Sequence, residues 1–127
     1  KLEWEDANDV KVKIRQILKV LDFPHIKEQN IHCYRTEGSK SRAYARIWGL
    51  SRIWQQALKI KPAYILEVIS EKFDKLSDHE KSKVLLHEVA HIPKNFSGAL
   101  VPHTRRRKGS FRDKLKSLYE VYNSARR

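Results

Sequence analysis

His87, Glu88 and His91 stand in the order H-E-x-x-H at the head of the stretch HEVAHIPKNFSGALVPH, residues 87–103. On a helix, side chains four residues apart share a face one turn apart, so the two imidazoles would meet on one side. Two imidazoles at that spacing can bind Zn²⁺, and the carboxylate beside them can take a proton from a metal-activated water. Zinc brings the pKa of such a water to about 7, which makes hydroxide available at neutral pH. A structural zinc needs no carboxylate beside its ligands and favours closed, cysteine-rich coordination, so Glu88 argues for catalysis.

Two histidines leave a tetrahedral site short of a third protein ligand. His103 is the first candidate, 12 residues after His91. Pro93 and Pro102 bracket the intervening loop and restrict it, which favours a return to the helix face. Glu120, further downstream, is the second candidate. The other histidines suit structural roles better: His79 in the first turn of the same helix, His25 in a loop after Pro24, His32 on a strand. Arg105, Arg106 and Tyr119 are candidate donors to an oxyanion, although a solvated surface role suits each of them better.

The elements that must position these groups read as follows. Ser77 with Glu80 three residues on is a capping-box signature, and it opens a helix expected to run to about Ile92, before Pro93. A first helix is expected from about Asp6 to Leu21, with Val10, Ile14, Ile17, Leu18 and Leu21 at 3/4 spacing. IHCYRTEGS, AYARIWGL and AYILEVIS read as three strands. In the second, Tyr44, Arg46 and Trp48 fall on one face, Ala45 and Ile47 on the other. The third carries one charge, Glu67, and precedes the histidine helix, so it is a candidate to lie near the site. Which strand borders a cleft is left open. SRIWQQALKI is a short helical or irregular connection. GSFRDKLKSLYEVYNSARR is a last, amphipathic helix with Phe111, Leu115, Leu118 and Tyr122 as its apolar stripe. The fold class expected is α+β in one domain, residues 1–127. It has an N-terminal helix, a small three-stranded, mainly antiparallel sheet, the histidine helix and a C-terminal helix.

The 127 residues suffice to bury a core without staples. Cys33 is the one cysteine. It reads as a buried small hydrophobe in a reducing, cytoplasmic setting. The apolar runs are too short to span a membrane, and no signal-peptide pattern opens the printed residues. Net charge is +12, and nine Lys/Arg against two acids fall between Val101 and Arg127. Arg105, Arg106, Arg107, Lys108 and Arg112 are therefore candidate nucleic-acid contacts through phosphate. Trp48 and Trp54 can stack on bases, but core packing is the expected role for both.

HEVAHIPKNFSGALVPH, preceded by ARIWGLSRIW and YILEVISEKFDKLS, resembles a family of small zincin-like metallopeptidases of archaea and phages. The resemblance covers about residues 30 to 105, and H-E-x-x-H-I-P, F-S-G and the Pro-His pair are its most specific pieces. It implies a minimal zincin-like fold, with His87, His91 and His103 as zinc ligands and Glu88 as general base. More distantly, the layout is similar to SprT-like metalloproteases, some of which cleave proteins crosslinked to DNA. The metzincin pattern does not fit, since Lys94 and Ser97 stand where it needs Gly and His. The expected function is zinc-dependent hydrolysis of polypeptides, with DNA-associated proteins as candidate substrates. The alternatives are a nucleic-acid-binding module with a structural zinc and a zinc hydrolase acting on another bond.

Overall fold

The computed structural model describes residues 1–21, 23–102 and 111–126. Four strands form one mixed sheet: β1 (Glu3–Asp6), β2 (Ile31–Glu37), β3 (Ala45–Gly49) and β4 (Tyr64–Ile69), in the order β1-β2-β4-β3. Among the described residues five α-helices accompany them: α1 (Asn8–Leu21), α2 (Arg52–Leu58), α3 (Ser70–Phe73), α4 (Asp78–Val89) and α5 (Phe111–Arg126). The α+β class stands as the sequence predicts.

The sheet has one strand more than the three expected. β1 pairs antiparallel with β2, Glu5 opposite Arg35, and all four of its residues are exposed. An edge strand with no buried face leaves no period-two hydrophobic signal to read. The strand also moves the start of α1 from Asp6 to Asn8. Between them the Ala7 N–H donates to the Cys33 carbonyl at 3.0 Å and continues the ladder. The sheet is also less antiparallel than expected. From β2 the chain passes to the far edge as β3, crosses through α2, and returns as β4 between them. β4 therefore runs parallel to β2, Cys33 opposite Leu66, and antiparallel to β3, Ile47 opposite Leu66.

The helices cover one face of this sheet. Val10, Ile14 and Ile17 of α1 and Leu85, Leu86 and Val89 of α4 are buried with Ile31, Leu66 and Val68. A fully buried Ile or Leu side chain contributes about 1.5–3 kcal/mol relative to exposure, so this inner layer holds the fold. In α5 the predicted stripe faces the same core, with Phe111 and Tyr122 buried and Leu115 and Leu118 partly so. Cys33 is buried as expected, and burial pushes its thiol up to about 11, which keeps it protonated. No helix among the described residues is long and apolar enough to cross a membrane.

The two tryptophans depart from the reading. Trp48 is 52% exposed and Trp54 58% exposed, so neither packs in the core. Trp48 lies on the sheet face that the helices leave uncovered. Trp54 lies on α2, a helix with no buried residue.

Candidate active site

α4 begins with the predicted capping box. Ser77 Oγ accepts from the Glu80 N–H at 3.2 Å, and Glu80 Oε1 accepts from the Ser77 N–H at 3.4 Å. The α-helix stops at Val89, earlier than expected. His91 N–H then bonds the Glu88 carbonyl, three residues back, at 3.1 Å, and Ile92 N–H bonds that of Val89 at 3.0 Å. The last turn is thus wound tighter before Pro93 ends it. His91 sits in that tight turn.

The turn still brings the imidazoles together. The His87 and His91 ring centroids are 5.2 Å apart, with the planes at 69°. His91 Nδ1 lies 2.6 Å from the Val101 carbonyl oxygen. A carbonyl only accepts, so Nδ1 carries the proton and the ring lone pair is on Nε2. Phe111, at the start of α5, stacks on His91 at 4.2 Å and 13° and meets His87 edge-on at 5.4 Å. Sequence reasoning assigned Phe111 to the apolar stripe and missed this second contact. Its place at the first turn of the last helix, after the histidine loop, was the available signal.

Glu88 lies beside the pair, its Oε2 3.9 Å from His87 Nε2 and its side chain 13% exposed. Among the described residues no hydrogen-bond donor reaches it. Burial pushes its carboxyl up to about 7. A carboxyl with a pKa near the working pH suits proton transfer.

The loop after His91 is tied down at several points. Phe96 is buried with φ 46°, a left-handed backbone that a bulky residue seldom adopts. Its ring packs edge-on against Tyr64 at 4.9 Å. The Tyr64 hydroxyl accepts from the Gly98 N–H at 2.9 Å and donates to the Ala99 carbonyl at 2.8 Å. Gly98 has φ +95°, and a Cβ there would lie 2.1 Å from the Leu50 carbonyl oxygen, so only glycine fits. Gln55 Nε2 donates to the carbonyls of Leu50 and Ser97. The loop ends where Val101 N–H donates to the His91 carbonyl at 2.7 Å, reciprocating the His91 side-chain bond. The chain therefore returns to the end of α4 two residues before position 103.

His103, the first candidate for third ligand, lies outside the described residues, as do Arg105, Arg106, Arg107 and Lys108. Arg112 enters only through the α5 backbone. Among the described residues, no group of three His, Cys, Asp or Glu converges. Glu120 is exposed on α5. α5 runs antiparallel to α4, because Phe111 meets His87 and His91 while Tyr119 bonds His79 at the other end. Nine residues beyond Phe111, Glu120 is turned by about 180° and displaced by about 13 Å along the helix. It therefore faces away from the histidine pair. Tyr119 is engaged with His79, also away from the pair. His25 packs on Phe23, and His32 is exposed on β2.

β3, and not β4, borders the site. A cavity of about 400 Å³ is lined by Ala45, Arg46, Ile47 and Trp48 on one side and by Glu88, His91, Leu100, Val101 and Pro102 on the other. β4 is paired on both sides, whereas β3 is an edge. Ile69 N–H bonds the Tyr44 carbonyl and Leu50 N–H bonds that of Ala63. The antiparallel alternation then turns the backbone N–H and C=O of Ala45 and Ile47 outward, into this cavity. At Gly49 the edge closes, since a Cβ there would lie 2.0 Å from the Gly98 carbonyl oxygen.

The site thus has two imidazoles and a desolvated carboxylate on one helix end, and Glu88 and His91 line a cavity beside a strand edge that no described strand pairs. A family model described as "Putative phage metallopeptidase" matches residues 2–119. No curated protein and no solved structure matches the sequence.

Proposed function

The chain belongs to this phage metallopeptidase family, and from that premise we propose that it hydrolyses peptide bonds with a zinc ion held by His87, His91 and His103 and with Glu88 as general base. The observation that carries the reading is the pairing of the two imidazoles, 5.2 Å apart, with a desolvated Glu88 beside them. The donor set fits zinc: the Val101 contact leaves the lone pair of His91 on Nε2, and imidazole nitrogen suits a borderline-soft cation. His103 completes the set, supported by the Val101–His91 clip that ends two residues before it. When bound, the zinc supplies Lewis-acid polarisation of the scissile carbonyl and a lowered pKa for the attacking water.

The chain's own residues do the rest. An extended polypeptide adds to the free edge of β3, bonding the outward groups of Ala45 and Ile47, which holds a peptide bond over Glu88. Glu88 takes the proton of the attacking water and passes it to the leaving amine. Phe111 packs against both imidazoles and restricts their rotation.

Metal analysis of the purified chain tests the site. About one zinc per chain is expected in the wild type, with strong loss in His87→Ala and in His103→Ala. Full occupancy in His103→Ala would remove that residue from the site. Association with DNA is a separate expectation resting on the basic residues Arg105, Arg106, Arg107, Lys108 and Arg112. A nucleic-acid module with a structural zinc would bind DNA in a salt-sensitive way and cleave no polypeptide.

A further inference from the structure

The face of the sheet turned away from the helices holds a second cavity, of about 670 Å³, lined by Leu2, Trp4, Tyr34, Trp48, Ile65 and a floor that includes Glu67. Trp4, Trp48 and Ile65 are exposed there. Aromatic walls over a few placed polar groups are the usual make-up of a ligand pocket of this size. Arg46 and Trp48 line both this cavity and the one that holds Glu88 and His91. The two cavities therefore meet across the edge strand β3.

We propose that Arg46 and Trp48 form a specificity subsite for the polypeptide substrate, taking a side-chain carboxylate at Arg46 and a large apolar or aromatic side chain at Trp48, two residues apart in the substrate. The proposal rests on the peptidase reading and names its substrate class. A strand added to the β3 edge places its alternate side chains on the outer face, directly beside Arg46 and Trp48. Because Ala45 and Ile47 carry the outward hydrogen bonds, Arg46 and Trp48 occupy non-bonded pair positions if the added strand is antiparallel, where facing side chains come closest.

The polar floor fixes what Arg46 can do. Its Nε donates to Glu67 Oε1 at 3.0 Å, and Trp48 Nε1 donates to the same oxygen at 2.9 Å. The Thr36 hydroxyl holds the other carboxylate oxygen. Glu67 is 5% exposed, so its demand is met from within and it lies beneath the guanidinium. No other described residue bonds Arg46, whose side chain is 38% exposed, so both Nη groups remain available as donors to an incoming group. That pair of N–H donors matches a carboxylate. Arg46 Cζ also lies 5.4 Å from the Trp48 ring centroid, so the cation and the indole form one surface. Net charge of +12 draws acidic chains toward it.

The test is fluorescence anisotropy with zinc-loaded Glu88→Gln protein and fluorescein-labelled peptides. The series carries Glu-x-Phe, Gln-x-Phe, Lys-x-Phe and Glu-x-Ala, in both chain orders. Replacing Glu by Lys should weaken binding about tenfold or more, and by Gln about threefold. Adding Arg46→Gln should bring the Glu and Lys peptides to within about twofold, and Trp48→Ala should erase the preference for Phe over Ala. General attraction by the basic chain would leave the Glu-to-Lys ratio intact in Arg46→Gln, and that result overturns the proposal. Equal binding of Glu and Lys peptides, or no binding by any peptide, overturns it too. If Arg46→Gln does not fold, Arg46→Lys replaces it: the charge is kept and the fork lost, and an unchanged Glu-to-Gln ratio overturns the proposal. Cleavage by the unaltered protein separates the two readings. Peptides bound with the predicted preference but never cut would remove the peptidase reading alone, and cutting without the acidic preference would remove the subsite alone.

Discussion

Glu67 and Glu88 are carboxylates withdrawn from water on opposite sides of the same strand edge, and they are treated in opposite ways. Glu67 receives hydrogen bonds from Thr36, Trp48 and Arg46, which outweigh the cost of burial and hold its carboxyl below the ordinary range. Glu88 has burial without a donor among the described residues, and its carboxyl rises to about 7. The difference teaches which of two buried acids suits the proton transfer proposed above. A carboxylate satisfied three times over is part of the frame, whereas one left unsatisfied fits the general-base role proposed for Glu88. The two are one step apart across β3, through Arg46 and Trp48 on one side and Ala45 and Ile47 on the other.

The sharpest way to break this comparison is to neutralise each acid in turn. Glu88→Gln should retain zinc and lower peptide cleavage by about 10² to 10⁴-fold, the usual worth of a positioned general base. Its melting temperature should change little, because no described hydrogen bond is lost. Glu67→Ala should do the reverse. It strands the Thr36 hydroxyl, the Trp48 N–H and the Arg46 Nε–H, and about 2–3 kcal/mol of stability should go with them. Denaturant melts beside a cleavage assay decide the matter. A Glu88→Gln protein that cuts at the wild-type rate would remove Glu88 from the chemistry, and a Glu67→Ala protein as stable as the wild type would undo the assignment of Glu67 to the frame.

Tyr64 offers a finer cut. Its hydroxyl ties Gly98 and Ala99, and so the loop that delivers Val101 to His91. Tyr64→Phe keeps the ring against Phe96 and removes only those two bonds. A loss of about 1–2 kcal/mol is expected, since a buried N–H and a carbonyl lose their partner. If the loop orients His91, zinc should also be drawn off more readily by a competing chelator. Unchanged zinc retention in Tyr64→Phe would separate the loop from the site.

Much of the inner side was legible in the sequence. The capping box of Ser77 and Glu80, the 3/4 spacing of Val10, Ile14 and Ile17, and the stripe from Phe111 to Tyr122 are local patterns, and local patterns survive into the fold. H-E-x-x-H placed His87, Glu88 and His91 together for the same reason. What failed was non-local. β1 has no buried face, so nothing in EWED marks it as a strand. The return of β4 between β2 and β3 is a matter of topology, and periodicity is blind to it. Trp48 is apolar by type, yet only the packing decides which side of the sheet the helices cover. The Glu67 network needed strand register, with Arg46 opposite Glu67 and Trp48 opposite Ile65. A lone Glu in AYILEVIS announced a charge in a strand without naming its partners.

The smallest effect expected lies at the other side of the sheet, where Arg35 makes a third kind of carboxylate pairing. Its guanidinium donates to Asp9 Oδ1 and Oδ2 at 3.0 Å each, and to Asp74 Oδ1 at 2.7 Å and Oδ2 at 3.1 Å. These bonds outweigh desolvation and hold both carboxyls below their ordinary value of 3.8. Folded pKa values below the unfolded ones mean that the stabilisation is fully present above about pH 4 to 5. It is lost as pH falls through the folded values. The two aspartate side chains are 61% and 40% exposed, so solvent screens the pairs and their share of stability should stay below about 1 kcal/mol. Urea melts between pH 7 and pH 3 should therefore show a slightly flatter fall in Arg35→Gln than in the wild type. High salt should shrink the difference further. The Glu67 pairing, enclosed under Arg46, should resist that salt. If salt erased both contributions equally, the contrast between a buried, satisfied carboxylate and an exposed, paired one would not hold in this protein.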